Sequence, residues 1–302
     1  MYRLLVTGLK GQIGQAIKDR IEHQGWDVLF TDIDTLDITN DEQVAAVFKA
    51  FKPDVVINAA GYTDVDRAEH DVAAAEYVNA YGPYLLAIQC HKLGSLLIHF
   101  STEYIFNGRN HSTYVETDTP APLNVYGRTK LQGEQYIKAC LSHYIIIRTS
   151  WVFSEYGRNF VTTMLSLSRK DAPIRIVNDQ FGCPTYAGDL ANLVVDITKD
   201  HQAETGRYQF GDYNFCGDSG CGNSSGDSGV SWLDFAYAIF DELDKYQPGE
   251  QGRNLTGVTT EEYASIAIRP KNGILNCHKI SPIFRPLDWR RKLRHVIAIT
   301  MA

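Results

Sequence analysis

Apolar positions in the first half of the chain switch between two periods. Leu4-Leu5-Val6 is a short β-type run, and Ile13, Ile17 and Ile21 follow at helical spacing between Gln12 and His23. Gly25 stops that helix, and Asp27 to Thr31 form a second strand. Thr39 and Glu42 have capping-box spacing ahead of Val44, Val47, Phe48 and Phe51, which share one helical face. Pro53 breaks this helix, and Asp54 to Ile57 make a third strand. A longer helix is predicted near 70–93, a fourth strand at Leu96 to Phe100, a helix near 124–142 and a fifth strand at Tyr144 to Arg148.

Strands that are apolar almost throughout, alternating with helices, predict a parallel sheet covered on both faces. Right-handed crossovers make it a doubly wound α/β sheet of the Rossmann type, with ligands beyond the carboxyl ends of the strands. Residues 1–152 form the expected dinucleotide-binding domain. Residues 153–302 form a smaller, mainly substrate-binding part, with segments near 174–212 expected to return to the core. There, residues near 159–170 read as a helix and Ile174 to Val177 as a strand. Leu190, Leu193, Val194 and Ile197 share a helical face, and Trp232 to Lys245 form a further helix. Between them, Asn214 to Ser231 is polar, rich in glycine and without an apolar period, so it reads as a surface loop.

Composition narrows the function. The 302 residues are 44% hydrophobic and 22% charged, which excludes a disordered chain and allows a large core. The net charge of −7 lacks the basic balance of a nucleic-acid surface. No apolar run approaches the ~20 residues of a membrane span, and the start is too quickly interrupted for a signal peptide. A cytoplasmic protein with reduced thiols is expected. The six cysteines make no disulfide framework, and Cys216 and Cys221, the nearest pair, have no histidine beside them.

The candidate chemistry lies at the strand ends. Gly8, Gly11 and Gly14 form a G-x-x-G-x-x-G loop between the first strand and helix, where a pyrophosphate can approach backbone and helix N-terminus. The competing reading is a plain tight turn. Asp32 ends the second strand, where a carboxylate can accept hydrogen bonds from an adenosine ribose. Asp32 repels a 2′-phosphate and Lys10 attracts one, which leaves NADH and NADPH both open. Asp37 and Ile38 can bracket an adenine or simply form a solvated loop. Tyr126 and Lys130 are four residues apart on one predicted helix. An ammonium beside the phenol lowers its pKa from about 10 and readies a proton donor. Ser101-Thr102, at the end of the fourth strand, supplies a hydroxyl for a carbonyl oxygen. An exposed Tyr/Lys pair is common; a strand-end hydroxyl, Tyr and Lys in that order after a glycine loop is specific.

These motifs resemble the extended short-chain dehydrogenase/reductases, and within them the dTDP-4-dehydrorhamnose reductase family. The resemblance covers nearly the whole chain. Leu123-Asn124-Val125-Tyr126-Gly127 and Arg148-Thr149-Ser150-Trp151-Val152 carry its most specific part, with Asp179-Gln180-Phe181-Gly182-Cys183-Pro184-Thr185 in the second half. It implies hydride transfer from NADPH or NADH to the C4 ketone of a dTDP-sugar. By matching motifs, Gly11, Gln12, Ile13, Asp32, Asp37, Ile38, Gly61, Tyr62, Thr63, Phe100 and Lys130 would contact the cofactor. Tyr126 would donate the proton, and Thr102, Glu103 and Trp151 would meet the sugar nucleotide. Arg269 would face a diphosphate or stay a surface arginine, while Cys183 and Asn79 read as structural. A homodimer is compatible with the resemblance.

Two departures matter. The family usually has Asp where Glu103 stands, and the extra methylene moves the carboxyl by about 1.5 Å. That motivates a reductase of a related, streptose-type dTDP-4-keto sugar as an alternative. A non-catalytic NADP-binding regulatory subunit, as in the methionine adenosyltransferase partner protein, is another. Some members bind Mg²⁺ through glutamates at a dimer contact; Gln15 stands near that position, so no metal is carried over.

Overall fold

The computed structural model describes residues 1–169, 172–217, 229–247, 255–285 and 287–301. In chain order the first elements are β1 (Arg3–Thr7), α1 (Gln12–Ile21), β2 (Asp27–Phe30), α2 (Asp41–Phe51) and β3 (Val55–Asn58). Then come α3 (Val65–Ala68), α4 (Val72–Glu76), α5 (Gly82–Leu93), β4 (Leu96–Thr102), α6 (Val125–Cys140) and β5 (Tyr144–Thr149). The second half adds β6 (Val152–Phe153), α7 (Phe160–Leu167), β7 (Ile174–Val177), β8 (Phe181–Gly182), β9 (Thr185–Tyr186), α8 (Ala187–Ala203) and β10 (Gly211–Asn214). It ends with β11 (Val230–Ser231), α9 (Trp232–Leu243), β12 (Leu255–Val258), α10 (Thr260–Tyr263) and α11 (Trp289–Met301).

The central sheet has the order β2-β1-β3-β4-β5-β10, and every pair in it is parallel. Alternation along its strands sends side chains to two cores. Leu4, Val6, Ile57, Ile98 and Ile147 pack beneath α1 and α8. Leu5, Val56, Leu97 and Ile146 pack beneath α2, α5 and α6. The chain leaves β1 toward β2 and returns to the other side of β1 as β3, so a crevice opens at their carboxyl ends. A third core, with Phe153, Met164, Phe235, Trp289 and Leu293, ties together α7, α9 and α11.

Several expectations are corrected. Asn40, not Thr39, caps α2, accepting from Gln43 N at 3.0 Å; Thr39 is held by Asp37, its Oγ1 donating at 2.7 Å. The helix expected near 70–93 is interrupted by a π-turn at Tyr77–Tyr81. Pro83 has no N–H for the carbonyl four residues back, and Gly82 N bonds five back, to Tyr77 O. The turn places Asn79 so that its amide spans Tyr62, accepting from N at 2.8 Å and donating to O at 3.0 Å. Of the segments expected to return to the core, α8 and β10 do so, whereas β7 pairs with β12 in a separate two-stranded sheet. At the ends of the expected surface loop, Asn214 closes β10 and Val230–Ser231 pairs with Phe181–Gly182. Residues 218–228, including Cys221, lie outside the described residues. Cys216 instead lies 3.5 Å from Cys277, both as free thiols.

Candidate active site

Three local features build a cleft at the carboxyl ends of the strands. The first is the glycine loop. Gly8 has φ +74°, and a Cβ there would sit 2.5 Å from Ala60 N, so only glycine lets β1 turn this tightly against β3. Gly11 is the N-cap of α1, with no side-chain cap and no acidic residue in the first turn. The free N–H groups of that turn therefore face the cleft, the arrangement that receives a phosphate. Gly14 sits underneath, where a Cβ would fall 2.1 Å from Gly8 O.

The second feature is the end of β4 against the start of α6. Asn124 caps α6, accepting from Gly127 N at 2.8 Å, and so fixes the first turn that carries Tyr126. Tyr126 packs edge-on against Tyr104 and lines the cleft with Thr102. Thr102 Oγ1 donates to Glu103 Oε2 at 2.8 Å. Lys130 Nζ donates to Phe100 O at 2.6 Å. Thr102, Glu103 and Lys130 are each at most 5% exposed.

The third is an aromatic wall. Trp151 follows β5 with φ 47°, a left-handed backbone that a bulky residue adopts only when its surroundings hold it. Its ring stacks on Trp232 with centroids 3.5 Å apart and planes 10° from parallel. A Cβ at Gly182 would lie 2.5 Å from the Trp151 ring, so only glycine fits against the ring at that point.

The resulting cleft, about 520 Å³, is lined by Gly11, Gln12, Ile13, Gly61, Thr63, Phe100, Thr102, Glu103, Tyr126, Lys130 and Trp151. A neighbouring hollow of about 310 Å³ continues past Gly11 and Gly61 to Gly8, Asp32, Asp37, Ile38 and Tyr62. The cofactor, catalytic and sugar-nucleotide candidates named by matching motifs, together with Gly8, thus border one of two adjoining spaces, and the packed Gly14 does not. The carboxylates of the second space are partly occupied. Asp32 accepts Lys10 N at 2.7 Å and Ile33 N at 2.9 Å, so it anchors the glycine loop. Lys10 Nζ pairs with Asp34 at 3.0 Å. Arg269 is engaged by Asp66, which its two terminal nitrogens bind at 3.0 and 2.6 Å.

Burial controls the protonation of the cleft. It raises the Glu103 carboxyl to about 8, against the Thr102 hydrogen bond. Burial also pushes the Tyr126 phenol above its usual range, and it lowers the Lys130 ammonium to about 8, against the Glu134 charge. The expected lowering of Tyr126 by Lys130 is absent, because the amine is turned to Phe100 O. Glu134 differs: burial raises it, but the hydrogen bond and charge of Arg148 prevail and hold it below the ordinary carboxylate value.

Sequence reasoning missed Trp232, which reads as an ordinary first residue of a helix until its ring is seen on Trp151. It also missed Ser154, whose hydroxyl donates to Gln12 Oε1 at 2.8 Å. No spacing joins residues 142 apart; only the Ser-Trp-Val stretch before Ser154 hinted at importance there.

The model of the RmlD substrate binding domain family matches residues 2–301. The chain belongs to that family. It is 41% identical over 302 residues to the dTDP-4-dehydrorhamnose reductase of Aggregatibacter actinomycetemcomitans, covering 99% of both chains. Among solved structures, dTDP-4-dehydrorhamnose reductase from Clostridium acetobutylicum is 32% identical with a TM-score of 0.88, covering 99% of this chain and 100% of that one. The Bacillus anthracis dTDP-4-dehydrorhamnose reductase, in complex with NADP, has the same identity, coverage and TM-score. These likenesses agree with an oxidoreductase on a Rossmann-type fold. Among the described residues, no helix is long and apolar enough to cross a membrane, and no group of three or more His, Cys, Asp or Glu could hold a metal ion.

Proposed function

We propose that this chain reduces the C4 ketone of dTDP-4-dehydro-L-rhamnose to the alcohol of dTDP-L-rhamnose with NADPH or NADH. The observation that carries the reading is the one cleft that Thr102, Tyr126 and Lys130 line together with Gly11 of the glycine loop. The uncapped α1 N-terminus and Gly11 fit the pyrophosphate of a dinucleotide, whose dihydronicotinamide supplies the hydride when bound. Gln12, Ile13, Gly61 and Thr63 would line its path, with Gly8, Asp32, Asp37, Ile38 and Tyr62 around the adenosine end. Tyr126 gives its phenolic proton to the sugar oxygen at C4. Thr102 turns its single hydroxyl proton from Glu103 Oε2 to the same oxygen when the sugar binds, and Lys130 holds the nicotinamide ribose beside Phe100. Trp151 supplies a flat apolar platform, and Glu103 meets a sugar hydroxyl.

A related dTDP-4-keto sugar is the second reading, and Glu103 favours it. Its longer side chain fits because position 273 is glycine: a Cβ there would sit 2.9 Å from Glu103 Cγ. An absorbance assay with several dTDP-4-keto sugars, following NADPH and NADH separately, decides. The expected outcome is fastest consumption with dTDP-4-dehydro-L-rhamnose. Preference for another sugar selects the second reading, and NADPH binding without turnover of any sugar contradicts both.

A further inference from the structure

Behind the cleft, one line of hydrogen bonds crosses three neighbouring strands. Thr7, Asn58 and His99 are paired residues of β1, β3 and β4. Thr7 Oγ1 donates to Asn58 Oδ1 at 2.8 Å, and the same oxygen accepts Ala60 N at 3.2 Å. Asn58 Nδ2 lies 3.0 Å from His99 Nδ1. On the other side of the ring, His99 Nε2 lies 3.4 Å from Lys130 Nζ. Asn58 and His99 are fully buried.

Donors and acceptors along this line fix the protons. The Ala60 N–H can only donate, so Asn58 turns its carbonyl oxygen there and its NH₂ toward His99. His99 Nδ1 must then accept. A neutral imidazole carries one N–H, which is left on Nε2, aimed at Lys130 Nζ. An ammonium has no lone pair to receive it, whereas a neutral amine does.

We infer that His99, held by Asn58 as the Nε2–H tautomer, is a positioning residue that directs a ring N–H at the Lys130 amine and favours its neutral form. The catalytic consequence rests on the role proposed for Lys130; the tautomer does not. The charged and titratable groups around the pair are few. From α6 come Tyr126 and Glu134, the latter bound by Arg148 of β5 and by Lys138. α5 packs on the same sheet face with the buried Cys90 thiol, and β3 offers only the neutral Asn58. Burial, reinforced by the Lys130 charge, drives the imidazole well below its usual value and keeps it uncharged.

The charged form of Lys130 is the stronger donor to a ribose hydroxyl. The rate therefore falls as pH rises through the Lys130 value of about 8. Asn58→Asp offers Nδ1 an acceptor, turns the ring to Nδ1–H and presents a Nε2 lone pair to Lys130. His99→Leu removes the opposing N–H altogether. Long-range ¹H–¹⁵N spectra of the ligand-free protein read the tautomer, and the ¹³Cε signal of Lys130 reads its titration, neither needing a substrate. Wild type is expected to show Nε2–H and Asn58→Asp Nδ1–H, with the Lys130 midpoint rising by about one pH unit in both variants. The alkaline limb of kcat is expected to move with it. A Nδ1–H tautomer in wild type overturns the inference even if neither variant folds, and so does a Lys130 midpoint unmoved in Asn58→Asp. A midpoint that moves while the kcat limb stays fixed supports the His99 inference and overturns the role proposed for Lys130.

Discussion

Tyr126→Phe lowers kcat by about 10²–10⁴-fold, the usual contribution of a positioned general acid, while NADPH affinity stays near wild type. The substitution removes one hydroxyl and keeps the ring that packs edge-on against Tyr104, with centroids 5.5 Å apart. The cofactor elements, α1 and the glycine loop, are untouched. Burial keeps the phenol protonated across neutral pH, so Tyr126 enters the reaction with the proton it must give. Steady-state rates and a fluorescence titration of NADPH measure the two quantities separately. If kcat stays near wild type, Tyr126 is not the donor. Glu103 then takes its place, being a neutral acid below about pH 8 and bonded to Thr102.

Arg148→Met costs about 3–5 kcal/mol of folding stability, the usual penalty for stripping one partner from a buried ion pair. Arg148 is 2% exposed and binds fully buried Glu134 through two nitrogens, at 3.0 and 2.7 Å. The same guanidinium reaches Glu116 O and Asp212, which ties β5 to α6 and β10. Ser101 and Lys138 still bind Glu134 in the variant, at 2.6 and 3.2 Å, which sets the loss at the low end of that range. The pH dependence follows from the sign. Glu134 is held below its ordinary value of 4.5, so its contribution is complete above that pH and disappears as pH falls through the folded-state value. Urea unfolding at neutral pH measures the loss. Glu134→Gln in the Arg148→Met background removes the stranded charge and is expected to recover part of it. A loss below about 1 kcal/mol would place the pair among weak surface bridges.

The alternating periods made the sheet legible because β3 and β4 are buried throughout, β1 and β5 nearly so, and the helices between them bury one apolar face. β1 to β5 with α1, α2 and α6 follow from that pattern. The π-turn was not legible: Pro83 inside an apolar helical pattern suggests a break, but its form depends on Asn79 and on the close packing of α6. β7 was misplaced because its apolar run fits any buried strand, and only its pairing with β12 decides which sheet it joins. That Thr102, Tyr126 and Lys130 line one cleft was legible because Tyr126 and Lys130 share a helix face and Thr102 ends a strand. Its protonation was not, since Lys130 turns to Phe100 O and the phenol's environment comes from residues distant in sequence. The second task of Asp32 was not legible: besides the ribose-acceptor position, its oxygens hold the backbone of Lys10 and Ile33. Trp232 could not be found from one chain position; its role exists only as a stack on Trp151.

The central claim is hydride transfer onto a sugar carbon, and deuterium transfer tests it most directly. Wild-type protein is incubated with dTDP-4-dehydro-L-rhamnose and NADPH deuterated at the transferring carbon of the nicotinamide. Mass spectrometry and NMR then locate the label. The expected product is dTDP-L-rhamnose with deuterium on C4. Unlabelled sugar, unreduced and recovered beside tightly bound NADPH, would contradict the account.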